Sequence, residues 1–144
     1  MENYHKPLPK PTATSAPFWQ AAHQGRLELQ YCSKCDSFQY YPRPICANCW
    51  NEAVEWRRCS GRATVYSYSI CNIPGLPSFK GDTPYLVAVV ELEEGVRMTT
   101  NIVGCAATDV SIGMPVEAVF ERVTEEHTLI KFRPTTEKID GDRR

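Results

Sequence analysis

The sequence predicts a mainly β protein: an N-terminal helical segment, then a four-cysteine zinc ribbon, then a five-stranded barrel of the OB type. Three observations predict it. Two CxxC pairs stand ten residues apart in YCSKCDSFQYYPRPICANCW, residues 31–50. Roughly five runs rich in β-branched and aromatic residues follow, bounded by Gly, Pro and Asn, with a longer break after the third. Only one short stretch, before Gly25, has apolar residues at helical spacing, which is too little helix to cover an open sheet. A sheet that cannot be covered removes its raw edges by closing on itself, and a break between the third and fourth strands suits a small Greek-key barrel. Strand spacing alone leaves an SH3-like barrel or a small sandwich open.

The expected units are an extended or helical N-terminal segment over 1–31, the ribbon over 32–54, the barrel over 55–134 and a polar tail over 135–144. Pro7, Pro9, Pro11 and Pro17 make the first residues extended. A helix then starts with Thr14 or Ser15 as cap, aligns Phe18, Ala21 and Ala22 on one face, and ends at Gly25. Leu27 and Leu29 follow in a short extended or helical stretch. Ser60-Gly61 is a turn ahead of a strand from Thr64 to Cys71. NIPGLPSFKGDTP, with three prolines and two glycines, is a long loop. YLVAVVELEEG is a central strand that bends at Glu94-Gly95 into Val96–Val103. CAATDVSIGMP is a connection with room for one helical turn, and 114–122 and 128–133 are the last strands.

The cysteines carry the strongest signal. Cys32, Cys35, Cys46 and Cys49 bring four soft thiolates to the corners of a tetrahedron, the ligand set of a closed structural zinc site. A four-thiolate iron site has the same geometry, and disulfides or a redox CxxC remain as alternatives. The odd total of seven cysteines speaks against complete pairing within one chain. Cys59, Cys71 and Cys105 share no ligand spacing and fit as small thiols packed in or beside strands. Phe38, Tyr40, Tyr41 and Trp50 make the ribbon unusually aromatic; they either seal it against the helix and barrel or offer a contact surface to a partner.

A catalytic set is not legible. His5, His23 and His127 stand in no motif that would activate a cysteine, and Glu91, Glu93 and Glu94 read as a solvated turn. No phosphate-cradling loop or HExxH helix is written in the chain. The 16 basic and 17 acidic residues give a net charge of −1, and the second half is the more acidic, so there is no general attraction to nucleic acid or anionic lipid. No apolar stretch is long enough to span a membrane and the N-terminus lacks a signal-peptide core, so the expected location is cytoplasmic.

In combination, FWQAAHQGRLELQYCSKCDSFQYYPRPICANCW, WRRCSGRATVYSYSI and IGMPVEAVFE resemble the DUF35 family, rubredoxin-like zinc-ribbon plus OB-fold proteins that accompany thiolase-like enzymes. The likeness runs over roughly residues 16–134. It implies zinc at Cys32, Cys35, Cys46 and Cys49. It also implies a helix bearing Phe18-Trp19 beside the ribbon, and a variable loop Ile73 to Pro84 between the first two barrel strands. The implied function is a non-catalytic accessory subunit of a thiolase-like or ketosynthase-like enzyme complex in acyl-CoA metabolism, including a phloroglucinol acetyltransferase of secondary metabolism. The reactive groups would belong to the partner, and the subunit would stabilise the assembly and help channel the acyl substrate. Phe18, Trp19, Phe38, Tyr40, Tyr41 and Trp50 are the candidate partner contacts. Two other functions compete. A single-strand nucleic-acid binder would use Tyr66 and Tyr68 on one strand face with Arg57, Arg58 and Arg62. A free-standing acyl-CoA carrier would need Lys80, Arg97 and Arg133 to converge.

Overall fold

The computed structural model describes residues 6–73, 81 and 84–135. Most of the Ile73–Pro84 loop, Lys80, His5 and the tail beyond Thr135 lie outside the described residues. No helix among the described residues is long and apolar enough to cross a membrane.

The helix α1, Ala16–His23, buries Phe18, Ala21 and Ala22. Ser15 occupies the N-cap, but its hydroxyl does not cap the helix; it accepts from the Thr12 N–H at 2.9 Å, folding the Pro-rich approach back on itself. At the other end Arg26 N–H donates to Ala21 O and Gly25 N–H to Ala22 O. This pairing reverses the chain through a left-handed residue, and Gly25 sits there at φ 80°.

The chain then enters β1, Glu28–Cys32, the centre of a three-stranded antiparallel sheet with β2, Ser37–Gln39, and β3, Glu55–Arg58, in the order β2-β1-β3. The ribbon sheet therefore begins before Cys32 and closes after the second CxxC, on residues expected to open the barrel. A period of two cannot tell which sheet a strand joins; Tyr31 pairing with Glu55 decides it for β3.

The barrel is β4, Arg62–Cys71; β5, Tyr85–Leu92; β6, Arg97–Asn101; β7, Pro115–Arg122; and β8, Thr128–Pro134, in the order β6-β5-β4-β7-β8. A parallel bridge between Ile102 and Phe132 closes the circuit, with Val103 N–H donating to Phe132 O at 2.8 Å. Antiparallel neighbours with one parallel closure make the five-stranded OB barrel that the strand count predicted. The break after the third strand holds a single 3₁₀ turn, Ala107–Asp109.

Inward residues of β5 alternate as Leu86, Ala88, Val90 and Leu92, all buried. They join Val65, Val116 and Phe132, and the same cluster continues without a gap into Phe18, Leu27, Leu29 and Cys59. Ribbon, helix and barrel thus share one core. Phe18, 1% exposed, is the wedge between them, which corrects its place among the partner contacts. His23, at the end of α1, ties the helix to the barrel. Its Nε2 accepts from Arg122 at 2.8 Å, since a guanidinium only donates, and its Nδ1 meets Thr128 Oγ1 at 2.8 Å.

Truncating a buried aromatic in such a wedge removes transfer energy and leaves a cavity, typically about 3–5 kcal/mol. Phe18→Ala is expected to lose stability of that order in urea unfolding, with ribbon and barrel probes moving together. Two separate transitions in the unmodified chain would contradict the shared core.

Candidate metal centre and contact surface

The four ribbon cysteines come from two loops that the β1–β2 and β1–β3 pairings bring face to face. Their sulfur atoms all lie within 4.8 Å of one another, Cys32 to Cys49 at 3.6 Å and Cys35 to Cys46 at 4.0 Å. A tetrahedron with metal–sulfur bonds of zinc length has edges of about 3.8 Å, so the donor set fits one tetrahedral ion, and none of the four is in a disulfide. Among the described residues this is the only cluster of its kind.

Donors surround the sulfurs. Cys35 N–H and the Asn51 side-chain amide point to Cys32 Sγ at 3.4 and 3.5 Å, and the Asn48 amide to Cys35 Sγ at 3.3 Å. The Asn51 amide leads in lowering the Cys32 thiol to about 6, while the Cys35 thiol leads in pushing Cys49 up to about 12. Four thiols this close cannot all ionise unless a cation offsets their mutual repulsion. Each loop turns through a left-handed residue immediately after its second cysteine, Asp36 at φ 56° and Trp50 at φ 68°. Asp tolerates that region; a tryptophan there is rare and strained.

The sequence reading missed the residues that hold the second loop. Gln30 lies on the same face of β1 as Cys32 and is 4% exposed. Its Nε2 donates to Arg43 O at 2.8 Å, and its Oε1 accepts from Arg43 N–H at 2.8 Å and from Gln39 Nε2 at 2.7 Å. Gln39 in turn holds Ile45 O and the N–H of Ala47, on either side of Cys46. The available signal was a pair of glutamines, one in β1 and one opposite it in β2, too common to read without the fold.

The aromatic candidates separate into two groups. Phe38 and Tyr40 are half-buried against the core, and Tyr31 packs on Phe38 at 5.0 Å with the Arg57 guanidinium over its ring at 3.8 Å. Trp19 donates its indole N–H to the Tyr41 hydroxyl at 3.1 Å, beside a Tyr41 that stays exposed. Trp50 is 74% exposed at the rim of the cysteine cluster. Trp50, Tyr41 and the outer edge of Trp19 are therefore what the ribbon presents.

The residues of the competing readings do not converge. A bulge between Val65 and Ser67 breaks the alternation of β4. Tyr66 consequently lies under the Arg97 guanidinium at 3.7 Å on the outer face, whereas Tyr68 pairs opposite buried Ala88, so the two tyrosines do not share a face. Arg57 pairs with Glu55 at 2.8 Å and Arg62 with Glu93 at 2.8 Å, the latter holding the Glu93 carboxyl below its ordinary range. Arg97 faces Glu91 at 3.8 Å, and Arg133 faces Glu117 at 2.9 Å. Glu94 does more than line a solvated turn: it accepts the Ser60 N–H at 2.9 Å, holding the entry to β4. Along the β6–β8 seam a cavity of about 270 Å³ is lined by Leu86, Asn101, Ile102, Cys105, Leu129 and Lys131, among others. Lys131 there is paired with Glu121 at 2.6 Å.

Residues 19–55 match the ChsH2 rubredoxin-like zinc ribbon domain and residues 56–121 the ChsH2 C-terminal OB-fold domain. A DUF35 domain-containing scaffold protein of Methanothermobacter thermautotrophicus is 42% identical over 112 residues, 73% of this chain and 84% of that one. The chain belongs to the DUF35 family. It is also 38% identical over 129 residues, 90% of its length, to a probable enoyl-CoA hydratase alpha subunit of Thermomonospora curvata, of which it spans 40%. The benzoylsuccinyl-CoA thiolase subunit BbsA of Geobacter metallireducens is 36% identical over 75 residues, 51% of this chain and 47% of that one. Among solved structures, the Ltp2-ChsH2(DUF35) aldolase superposes with a TM-score of 0.78 at 38% identity, covering 88% of this chain and 98% of the matched one.

Two expectations follow from this geometry. Gln30→Leu removes the side-chain partners of the backbone N–H and C=O of Arg43, and because Arg43 is exposed water replaces part of what is lost. It should lower zinc affinity by about 10–100-fold in a chelator competition, as loss of a group that positions ligands does; unchanged affinity would mean the loop holds itself. Burial, then the Glu94 carboxylate, pushes the Cys59 thiol from 9.0 up to about 12, and burial moves Tyr40 from 10.0 to about 12. Both groups are neutral when folded, so their contribution to stability is intact below about pH 9 and falls as the pH rises towards 12. Urea midpoints measured across that window should decline, and less so in Cys59→Ala.

Proposed function

We propose that this DUF35 protein is a non-catalytic, zinc-holding subunit of a thiolase-like acyl-CoA enzyme complex. The observation that carries the reading is the pairing of a closed four-thiol site with an exposed aromatic rim. Four cysteine ligands leave a tetrahedral ion no open position for substrate, so the ion would contribute folding energy and shape rather than bond-making. The ion would be held by Cys32, Cys35, Cys46 and Cys49. Trp50 beside Cys49, and the hydrogen-bonded Trp19–Tyr41 pair where α1 meets the ribbon, are of the residue types that anchor protein interfaces. The CoA-related names of the relatives support an acyl-CoA enzyme as the partner these aromatics would meet. The barrel, rigidly joined through the shared core, would set the orientation of the partner. The seam cavity, whose lining mixes Leu86, Ile102 and Leu129 with Asn101 and Lys131, would give the acyl chain a path along its apolar side, which is the channelling role.

Mild affinity purification from the cells that make the protein tests this reading. A thiolase-fold enzyme should be recovered at fixed stoichiometry, and Trp50→Ala should release it while metal content stays unchanged. Cys46→Ser should lose the metal and the enzyme together. Repeated recovery of the chain alone, or turnover of an acyl thioester by the metal-free chain at the rate of the assembly, would overturn the proposal.

A further inference from the structure

β4 is ten residues long, yet β7 covers only its first part. The β4–β7 ladder runs from Arg62 to Thr64, and Val65 is the last residue bonded on that side, to Met114 and Gly113. From Tyr66 to Cys71 the strand pairs with β5 on one edge, and among the described residues nothing pairs with the other. Among the described residues no protein group bonds the alternate peptide groups along that edge.

The side chains there are equally unusual. Among the described residues seven large hydrophobic side chains are exposed, and four of them fall in this short stretch: Tyr66 at 46%, Tyr68 at 36%, Ile70 at 38% and Ile73 at 83%. Tyr68 and Ile70 pair opposite Ala88 and Leu86, which are buried, so they belong to the inward face and lie open only because no strand flanks them. Natural sheet edges are blunted by lysine, proline or an inward charge. From Ala63 to Ile73 this segment has none of these.

We propose that the free edge of β4, Tyr66 to Cys71, pairs antiparallel with the same edge of a second copy of the chain. A two-fold antiparallel strand pair sets a residue on the axis opposite its own copy and every other residue opposite a neighbour from the same edge, so an edge carrying charge of one sign forbids it by repulsion. An uncharged edge of alternating Ser and Tyr or Ile does not, and a net charge of −1 adds little long-range repulsion between copies. Backbone donors and acceptors on an antiparallel edge are complementary to those of the rotated copy. Two six-residue strands with their aromatic flanks cover on the order of 1,000 Å² in total, the low end of specific interfaces, so the dimer is a weak one of about micromolar Kd. It is independent of the metal and of the exposed aromatics of the ribbon.

Sedimentation velocity on the full, metal-loaded chain from about 1 to about 200 µM tests it. A concentration-dependent dimer is expected. Tyr68→Lys and Ile70→Lys, each setting lysines near one another across the two-fold, should raise Kd at least about tenfold. Glu126→Lys, an exposed residue at the β7–β8 turn beyond the opposite end of β4, should leave it within about twofold. Metal content and near-ultraviolet circular dichroism report whether each variant is folded; Ser69→Lys serves where Tyr68→Lys is not. Hydrogen exchange should slow at alternate amides of 66–71 in the concentrated sample and nowhere on the ribbon. A monomer at every concentration, a dimer indifferent to edge lysines, or equal weakening by Glu126→Lys would overturn the proposal. So would an edge protected only by an enzyme partner. Recovery or loss of that enzyme in the purification above leaves this outcome untouched, so the two readings fail separately.

Discussion

Four sulfur atoms within 4.8 Å of one another are the constraint on which the ribbon depends. Thiolates at that separation repel, and their neighbours offer N–H donors rather than cations. A divalent ion at their centre would turn the repulsion into attraction and make the two loops one object. The loops themselves are short, polar and nearly free of aliphatic residues, so no hydrophobic core would order them in its place. The Gln30–Gln39 network would spare such an ion part of that work, because its hydrogen bonds already hold the path from Arg43 to Ala47.

The ribbon is not a pendant on a separate barrel. Leu27 and Leu29 on one side and Val65 and Phe132 on the other belong to one cluster, with Phe18 pressed between them. Order imposed at the sulfurs is therefore transmitted through β1 to the barrel wall, and the His23 contacts to Arg122 and Thr128 give α1 a second hold. A body joined in this way suits a subunit whose task is to set the geometry of something else. The polar groups tell the same story: four arginines that might have lined an anion groove, Arg57, Arg62, Arg97 and Arg133, are each spent on a neighbouring carboxylate.

Particular residues show where reading from sequence worked and where it stopped. CxxC spacing identified the four sulfurs because the metal's coordination demands dictate ligand type and separation. Gly25 and Gly95 marked a helix end and a hairpin because each sits at a backbone angle that other residues avoid, φ 80° and 92°. Phe18 was placed on a surface because its helix has so few residues that burial and display leave the same trace in the sequence. Tyr66 and Tyr68 were placed on one face because alternation hides a bulge.

What the chain's letters determined by themselves were the local events: where the helix ends, where strands run, which four thiols meet. These follow from backbone sterics and short-range chemistry, which neighbours in sequence carry. Only the tertiary structure decided that β3 joins the ribbon, that Phe18 is core, that two glutamines guard the cysteine loop and that half of β4 has no second strand beside it among the described residues. Those outcomes rest on which distant segments pair, and the free energy that selects a pairing comes from burial summed over the whole fold rather than from any single stretch of it.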